Sequence, residues 1–226
     1  MKIGILGTGI VGQTLAAALA AKRHDVTIGT RDPAETLARA AGGRGQSSFR
    51  EWHAANPAVH VATFADAARA GDVALNATSG QGALAALAAA GDDALGDRIL
   101  VDISNPLDFS RGMPPSLSVS NTDSLGEQIQ RAYPRARVVK ALNTVTAPLM
   151  VDPKALAGGE HTLFICGNDA GAKRQVTGWL GEWFGWRDVL DVGDITAARG
   201  TEQLLPLWVR LMMTLGTPMF SFKLVR

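Results

Sequence analysis

A glycine-rich turn near the start of the chain constrains its fold more than any other feature. Residues 7–12 read Gly-Thr-Gly-Ile-Val-Gly, directly after an apolar run from Lys2 to Leu6 and directly before a helical segment. A second strand is predicted from Asp25 to Arg31. Such a glycine pattern is a weak signal alone, but between a strand and a helix it is typical of a dinucleotide-binding βαβ unit.

Each glycine of the turn has a separate role in such a unit. Gly7 permits the tight turn, Gly9 removes a side chain where a pyrophosphate approaches the backbone, and Gly12 lets the helix lie close to the strand. The N-terminus of the helix directs N–H groups and the positive end of its dipole at the pyrophosphate. The predicted cofactor-binding residues of this turn are Gly7, Thr8, Gly9, Ile10, Val11 and Gly12.

The end of the second strand favours NADP over NAD. It reads Ile28-Gly29-Thr30-Arg31, where NAD-binding proteins usually carry an acidic residue for the ribose hydroxyls. The Arg31 guanidinium can bind a 2′-phosphate with charge-assisted hydrogen bonds, and the Thr30 hydroxyl can add another. Asp32 leaves an alternative open, because it could reach a ribose hydroxyl or could cap the helix that begins at Pro33.

The composition indicates a soluble globular protein and argues against several classes of partner. With 226 residues, 46% of them hydrophobic, the chain can bury a sizeable core, and its net charge of +1 gives no reason to expect nucleic acid or an acidic membrane as partner. No apolar run is long enough to span a bilayer and no signal-peptide pattern follows Met1, so we expect a cytoplasmic protein that acts on a small molecule or a cofactor. Four scattered histidines and a single cysteine, Cys166, which we expect to be buried, predict neither a metal site nor a disulfide.

Strands and helices continue to alternate to about residue 147. Further strands are predicted near residues 59–62, 73–77, 99–103 and 137–142, and helices over residues 33–41, 47–56, 64–70, 82–90 and 123–133, with a glycine-rich break at residues 42–45. We therefore predict an α/β fold with a doubly wound, mostly parallel Rossmann-type sheet, because βαβ units connect parallel strands. We divide the chain into a dinucleotide-binding domain, residues 1–147, and a small C-terminal α/β extension, residues 148–226, that covers the same crevice.

The extension has its own helices, strands and aromatic residues. Its predicted strands cover residues 162–166 and 189–192, and its predicted helices cover residues 170–184 and 195–215. We expect Pro206 to break or bend the last helix and Gly216 to end it. Trp179 and Trp183 lie four residues apart on one helix face, so we expect them to be buried against the sheet.

The end of the chain is unusually apolar. Its large apolar residues are Trp208, Met212, Met213, Met219, Phe220 and Phe222. Because this is more apolar surface than a terminal helix and tail normally expose, it indicates a homodimer. A tail that folds back on its own sheet is the alternative.

Small polar residues follow three of the predicted strands. These exits read Asn76-Ala77-Thr78-Ser79-Gly80-Gln81-Gly82, Ser104-Asn105-Pro106-Leu107-Asp108 and Asn143-Thr144-Val145-Thr146. Ligands bind outside the carboxyl ends of the strands in open α/β sheets. Because the exits carry amides and hydroxyls with hardly any acid or base, they indicate a surface that holds a ring rather than one that transfers protons. At any one position, a polar residue that only satisfies strand-end backbone groups is the alternative.

With these motifs the chain resembles the NADPH-dependent F420 reductases, which are NADP oxidoreductases that use the deazaflavin coenzyme F420. A similar module forms the cytosolic domain of the metalloreductases called six-transmembrane epithelial antigens. The motifs that carry the resemblance are Gly7-Thr8-Gly9-Ile10-Val11-Gly12, Gly29-Thr30-Arg31, Asn76-Ala77-Thr78, Asp102-Ile103-Ser104-Asn105-Pro106 and Lys140-Ala141-Leu142-Asn143-Thr144. The resemblance implies that Ala77, Thr78, Asn105 and Asn143 line the nicotinamide site and that a second cofactor stacks over it.

The resemblance and the polar exits together predict an NADP-dependent oxidoreductase. We expect hydride transfer between NADPH and a flavin-like ring, with no side chain acting as catalytic acid or base. Coenzyme F420 is the preferred candidate for this ring, and FMN or FAD is the next candidate. An alternative is an NADPH-dependent reductase of a small C=O or C=N substrate, which would need a proton donor from among Lys140, Tyr133 and Asp102. Of these, Lys140 falls within a strand and is expected to be structural. A third hypothesis is a redox-sensing module that binds NADP(H) and reports its level to a partner.

Overall fold

Strands and helices alternate along the residues that the structure, a computed structural model, describes, which are residues 1–40 and 47–226. The strands are β1 (Lys2–Leu6), β2 (Asp25–Thr30), β3 (Val59–Thr63), β4 (Val73–Asn76), β5 (Ile99–Asp102), β6 (Leu107–Asp108), β7 (Ser116–Leu117), β8 (Arg137–Ala141), β9 (Thr162–Cys166) and β10 (Asp188–Asp191). The α-helices are α1 (Ile10–Ala21), α2 (Pro33–Ala38), α3 (Phe49–Ala55), α4 (Phe64–Ala70), α5 (Gly80–Ala90), α6 (Asp92–Leu95), α7 (Leu125–Ala132), α8 (Ala147–Val151), α9 (Ala170–Phe184) and α10 (Ala198–Leu215). Short 3₁₀ helices cover Pro153–Ala155, Ala157–Gly159 and Ile195–Ala197.

One sheet of eight strands organises the molecule, in the order β10-β9-β8-β5-β4-β1-β2-β3. Neighbouring strands in it run parallel, apart from β8 and β9, which pair antiparallel. The order runs outward from β1 to β3 on one side and outward from β4 on the other, so the switch point lies between β1 and β4. The prediction of a doubly wound, mostly parallel α/β fold is confirmed.

Strands β4 and β5, on one side of this switch point, are buried along their whole length. Every residue of β4 and of β5 is buried. Helices cover both faces of a parallel sheet, which is why these strands read as unbroken apolar runs in the sequence. The carboxyl ends of β1, β4, β5 and β8 therefore emerge side by side from a fully packed core.

The C-terminal part of the chain joins the same sheet. Strand β9 pairs with β8 so that Lys140 lies opposite Cys166, which is buried as predicted. Helix α10 is continuous through Pro206, so the helix is not broken there, and a bend at this residue stays a prediction. It ends at Gly216, whose φ of 68° is the left-handed conformation expected of a C-terminal glycine.

The tryptophans of the extension pack largely as expected. Trp183 is 3% exposed, and its ring stacks on that of the half-buried Trp179 with centroids 5.4 Å apart. Trp186 is buried in the same hydrophobic core and donates from Nε1 to the carbonyl oxygen of Met150 at 2.9 Å. Burial is thus confirmed for Trp183 and is only partial for Trp179.

Element boundaries differ from the predicted ones where local hydrogen bonds or short lengths decide them. The helix predicted over residues 33–41 ends at Ala38; residue 41 and the glycine-rich break at residues 42–45 lie outside the described residues. Ser48 caps α3 through a reciprocal pair of bonds with Glu51, 3.2 and 2.8 Å long, so this helix begins one residue after Ser48. Helices α6 and α8 and the hairpin of β6 and β7 are too short to give a periodic pattern and are not predicted from the sequence.

The described part of the chain holds neither a membrane-spanning helix nor a metal-binding cluster. None of the helices within residues 1–40 and 47–226 is both long and apolar enough to cross a membrane. Within the same ranges, no three His, Cys, Asp or Glu side chains lie together in a way that could hold a metal ion.

Candidate functional site

The glycine turn between β1 and α1 has the geometry expected of a dinucleotide cradle. Gly7 has a φ of 114°, which L side chains rarely adopt, and its N–H donates to the carbonyl oxygen of Gly29 at 3.0 Å. A Cβ at Gly12 would lie 2.0 Å from the carbonyl oxygen of Gly7, so only glycine lets the helix approach the turn this closely. A Cβ at Gly9 would meet no described atom within 4 Å. The space above Gly9 is therefore free for a ligand.

The first turn of α1 faces that free space. Gly9 is the N-cap residue and has no side chain to bond the first N–H groups of the helix, so these stay available to an anion. The Gln13 side chain donates to the carbonyl oxygen of Thr8 at 2.8 Å and holds the turn against the helix. Ile10 is 63% exposed at the rim of the turn, and Val11 lies deeper, between the turn and the strand exits.

At the end of β2 the structure separates the roles of the three polar residues. The Thr30 hydroxyl is 2.7 Å from that of Thr36, and Thr30 is buried. Asp32 accepts a hydrogen bond from the N–H of Glu35 at 2.9 Å and caps α2, which confirms the capping alternative for this residue. Arg31, between them, is exposed and is the cationic group at the end of the strand.

Two adjoining cavities open at the strand exits beside the turn. The β4 cavity, about 230 Å³, is lined by residues 77–81 after β4, residues 103–105 after β5, and Phe109. The β8 cavity, about 280 Å³, is lined by residues 143–147 after β8 together with Trp208 of α10. Val11, Ile103 and Asn105 line both. The structure thus brings the predicted residues Ala77, Thr78, Asn105 and Asn143 to the walls of one pair of cavities.

The β5 and β8 exits are locked to each other by two hydrogen bonds. Asn105 Nδ2 donates to the carbonyl oxygen of Asn143 at 2.7 Å, and Asn143 Nδ2 donates to Asn105 Oδ1 at 3.0 Å. Leu142, just before this pair, has a φ of 63°, a strained conformation for a residue with a branched side chain. The reciprocal amide bonds and the surrounding core hold that strain at the edge of the β8 cavity.

The β4 and β5 exits are locked by close contact instead. Gly80, the first residue of α5, lies so near the β5 exit that a Cβ there would be 1.9 Å from the carbonyl oxygen of Asn105. A side chain at this position would push the two exits apart. The width of the β4 cavity therefore depends on the absence of a single methyl group.

A buried ion cluster lies beneath the exits, centred on Lys140. Its ammonium is fully buried and donates to Asp102 Oδ2 at 2.7 Å, Glu202 Oε1 at 2.8 Å and the carbonyl oxygen of Ser104 at 2.5 Å. Burial alone would lower the pKa of Lys140, but the charges of Asp102 and Glu202 outweigh it and hold that pKa above its ordinary value. Lys140 therefore stays protonated, with all three N–H groups engaged.

The cluster continues from Asp102 to the wall of the β4 cavity. Asp102 Oδ1 accepts from Asn76 Nδ2 at 2.8 Å and from the Ser104 hydroxyl at 2.6 Å. Asn76 Oδ1 in turn accepts from the Thr78 hydroxyl at 2.6 Å. This chain of bonds fixes the position of Thr78, so Lys140 and Asp102 act on the cavity through their neighbours rather than by facing it.

Glu202 is the functional-site residue that sequence reasoning missed. Its two carboxylate oxygens accept hydrogen bonds from the N–H groups of Leu125 and Gly126, at 2.9 and 3.0 Å, and so cap the N-terminus of α7. The same carboxylate binds Lys140. The sequence places Glu202 three residues before Leu205 on a predicted helix, which indicates that both lie on the same helix face. It does not indicate that Glu202 binds Lys140.

The third candidate proton donor also lies away from the cavities. Tyr133 is 8% exposed in the core between α7 and the sheet, and burial raises the pKa of its hydroxyl. The described residues that line the two cavities carry amides, hydroxyls and apolar groups, and none of them is an acid or a base. This geometry argues against a reductase that uses Lys140, Tyr133 or Asp102 as its proton donor.

Comparison with known proteins points to one family. The family model for coenzyme F420-dependent NADP oxidoreductase matches residues 2–106. The crystal structure of a protein from Arthrobacter sp. FB24, provisionally assigned as an F420-dependent NADP-reductase, is 57% identical, covers 100% of both chains and superposes with a TM-score of 0.96. The F420-dependent NADP reductase of Methanothermobacter marburgensis is 27% identical over 215 residues, which are 93% of this chain and 92% of that protein.

A longer protein also contains a related segment. The metalloreductase STEAP3 of Rattus norvegicus is 31% identical over 222 residues, which are 95% of this chain but 39% of STEAP3. The chain thus spans less than half the length of that relative. The predicted resemblance and the prediction of an NADP-dependent oxidoreductase are confirmed: the chain belongs to the family of coenzyme F420-dependent NADP oxidoreductases.

Proposed function

We propose that this chain transfers hydride between NADPH and a flat, flavin-like ring. Coenzyme F420 is the preferred candidate for this ring, and FMN or FAD is the next candidate. The observation that carries the proposal is the pair of adjoining cavities, which share Val11, Ile103 and Asn105 and have walls without acid or base among the described residues. A flavin-like ring spreads incoming charge over its own conjugated system, so the protein must supply stacking, orientation and dryness rather than a proton. These walls fit that task.

NADP is assigned to the residues predicted for it. The N–H groups at the start of α1 would hold the pyrophosphate above Gly9, and Arg31 would bind the 2′-phosphate. Because the Thr30 hydroxyl already bonds Thr36, the preference for NADP rests on Arg31. Ala77, Thr78, Asn105 and Asn143 would line the nicotinamide site, with Asn143 on the side where the acceptor ring stacks. The division of the chain at residue 147 also remains a prediction.

Arg31→Ala is expected to weaken NADPH binding by on the order of ten- to a hundredfold, since a charged hydrogen bond contributes roughly 1.5–3 kcal/mol. NADH binding should stay nearly unchanged, because NADH has no 2′-phosphate. Calorimetric titration of both cofactors against both proteins measures this. Arg39→Ala is the matched control, because Arg39 is an exposed arginine of the same region that binds only Glu35 among the described side chains. Equal losses for NADPH and NADH in Arg31→Ala would assign the role elsewhere.

A spectrophotometric panel tests the reaction itself. The enzyme and NADPH are mixed separately with coenzyme F420, FMN, FAD and a set of carbonyl compounds, and the nicotinamide absorbance is followed. We expect the nicotinamide absorbance to fall when a flavin-like ring is present, and we expect this activity to be retained in Tyr133→Phe. Bleaching only with the carbonyl compounds, together with collapse of that activity in Tyr133→Phe, would refute ring-to-ring transfer. A protein that only senses NADP(H) would bind NADPH, and the nicotinamide absorbance would not fall with any compound of the panel.

Ala77→Leu is expected to slow turnover by about tenfold or more while changing the Kd for NADPH much less, because a 1 Å displacement of reacting rings can cost up to a hundredfold. The added side chain would enter the β4 cavity and wedge the two rings apart. Ala88→Leu adds the same volume at an exposed position of α5 and serves as control. Steady-state kinetics beside a binding titration separates the two effects, and parallel loss of both would argue against a wedge.

We further propose a homodimer that uses the end of the chain. Part of the apolar tail folds back, since the rings of Trp208 and Phe220 pack 5.1 Å apart and Phe220 in turn contacts Phe222. Other apolar side chains of α10 and the tail remain exposed, namely Leu207, Met213, Leu215 and Met219. We propose that a second copy of this chain covers these exposed side chains. Sedimentation that finds a monomer at micromolar concentration would contradict this.

We also propose that the reaction takes place in the cytoplasm. The chain has a single cysteine, Cys166, which is a buried free thiol, so its fold does not depend on a disulfide, as is usual for proteins of a reducing compartment. Fractionation of cells that express the tagged chain measures its location, and recovery from the medium or a membrane fraction would contradict the proposal.

A further inference from the structure

Two residues that line the β8 cavity each carry a buried polar atom that has no hydrogen-bond partner within residues 1–40 and 47–226. These atoms are Asn143 Oδ1, an acceptor, and Trp208 Nε1, a donor. Leaving a buried polar atom unpaired is costly, and two such atoms of opposite character on one cavity need an explanation. A ligand that offers both a carbonyl and an N–H group would satisfy the pair.

The orientation of the Asn143 amide follows from its neighbours. Asn105 Nδ2 donates to the Asn143 carbonyl oxygen, so only Asn105 Oδ1 is left to face the Asn143 side chain, and it must accept. Asn143 therefore turns its Nδ2 to Asn105, 3.0 Å away, and its Oδ1 remains. Since Asn143 is 3% exposed and locked on both sides, this acceptor is held in a fixed position.

Trp208 provides the donor from a different part of the chain. Its indole is half-buried on α10, packs against Phe220 and borders the cavity, while the preceding Leu207 is 52% exposed. Both unpaired atoms are covered by neighbouring atoms, so bulk water satisfies neither. A ligand would therefore contact them only after the covering side chains shift, and the half-buried indole is the less enclosed of the two residues.

We propose that the β8 cavity recognises the cyclic imide edge of the acceptor ring, with Trp208 Nε1 donating to a ring carbonyl and Asn143 Oδ1 accepting from the adjacent ring N–H. This rests on the proposed function. Flavins and deazaflavins both carry this C=O and N–H edge, whereas simple ketones and imines do not. The pair therefore makes the chain selective for the ring class of acceptor.

The two cavities differ in which part of the chain builds them, and this assigns the imide to the β8 cavity. The β4 cavity is lined by residues up to 109, close to the limits of the family-model match at residues 2–106. The β8 cavity draws most of its wall from residues 143–150 and from α10. Nicotinamide belongs with the dinucleotide-binding part, which leaves the β8 cavity to the second ring.

Binding of a ring that cannot react tests the assignment. The probes are 8-hydroxy-5-deazariboflavin and its N3-methyl derivative, titrated by fluorescence into the full chain saturated with NADP⁺. For the wild type, we expect N3-methylation to weaken binding about tenfold, because it removes the N–H that Asn143 accepts. Trp208→Phe keeps an aromatic ring but removes the donor, so it should weaken binding of the parent ring about tenfold and leave the Kd for NADPH unchanged. Arg210→Ala, at an exposed position two residues further along α10, is the control and should change neither.

Two results would overturn the assignment. One is equal binding of the parent and N3-methyl rings to the wild type. The other is a loss of NADPH affinity in Trp208→Phe as large as the loss of ring affinity, because the indole would then hold the nicotinamide carboxamide. Failure of the proposed function looks different: no ring would oxidise NADPH, yet the binding difference between the two probes would persist, since it needs no turnover.

Discussion

Lys140→Met is expected to lower the free energy of unfolding by about 3–5 kcal/mol, the usual cost of removing one partner from a buried ion pair. The substitution keeps a similar volume but leaves Asp102 and Glu202 buried without the cation that both of them bind. Each carboxylate keeps its other hydrogen bonds, yet the two negative charges then face each other in a site that water does not reach. Urea denaturation of the wild type and the variant measures the loss.

The controls for this experiment separate burial from charge. Lys223→Met removes an exposed ion pair with Glu160 and should cost less than about 1 kcal/mol. Adding Glu202→Gln to Lys140→Met removes one of the unpaired charges and should recover part of the lost stability. If Lys140→Met stayed within about 1 kcal/mol of the wild type, the cluster would not be the electrostatic centre that its geometry indicates.

Gly9→Val is expected to abolish measurable binding of NADPH and NADH alike, a loss of more than about a hundredfold, because several charged hydrogen bonds to the pyrophosphate fail together. The fold should survive. Gly9 has φ −74° and ψ −179°, an extended conformation that any residue adopts, and a Cβ there would meet no described atom within 4 Å. The valine side chain would instead fill the space left for the ligand.

Calorimetry and thermal melting together decide this second case. Gly178→Val is the control, because a Cβ at this exposed position of α9 also meets no described atom within 4 Å and should leave cofactor binding intact. An unchanged melting temperature with lost binding supports the cradle. Retained binding in Gly9→Val would mean that the pyrophosphate lies elsewhere.

The features that sequence alone predicted are those set by short-range geometry. The roles of Gly7, Gly9 and Gly12 depend on residues within one turn, and the Asp32 cap depends on an N–H three residues away. Buried parallel strands can also be predicted from the sequence, because helices cover both of their faces and every position of β4 and β5 is buried. These local rules were enough to place the strand exits at one edge of the sheet.

The features that sequence did not predict depend on pairs far apart in the chain. Lys140 and Glu202 are brought together only when α10 docks on the sheet, and no periodic pattern reports which acidic residue a buried lysine will meet. The unpaired Trp208 donor and Asn143 acceptor are a property of the assembled cavity. The sequence predicts Trp208 as part of an apolar surface, because the large ring dominates its hydropathy and its single N–H gives no signal in a sequence pattern.

The close approach of Gly80 to Asn105 has a consequence for mutational scanning. Position 80 presents no side chain to any ligand, yet even alanine there would displace the Asn105 backbone and with it a wall that both cavities share. In a map of tolerated substitutions it would be as restrictive as a contact residue. Intolerance beside a pocket is therefore not by itself a sign of ligand contact, and in this fold the spacing of the two cavities depends partly on the absence of a side chain at Gly80.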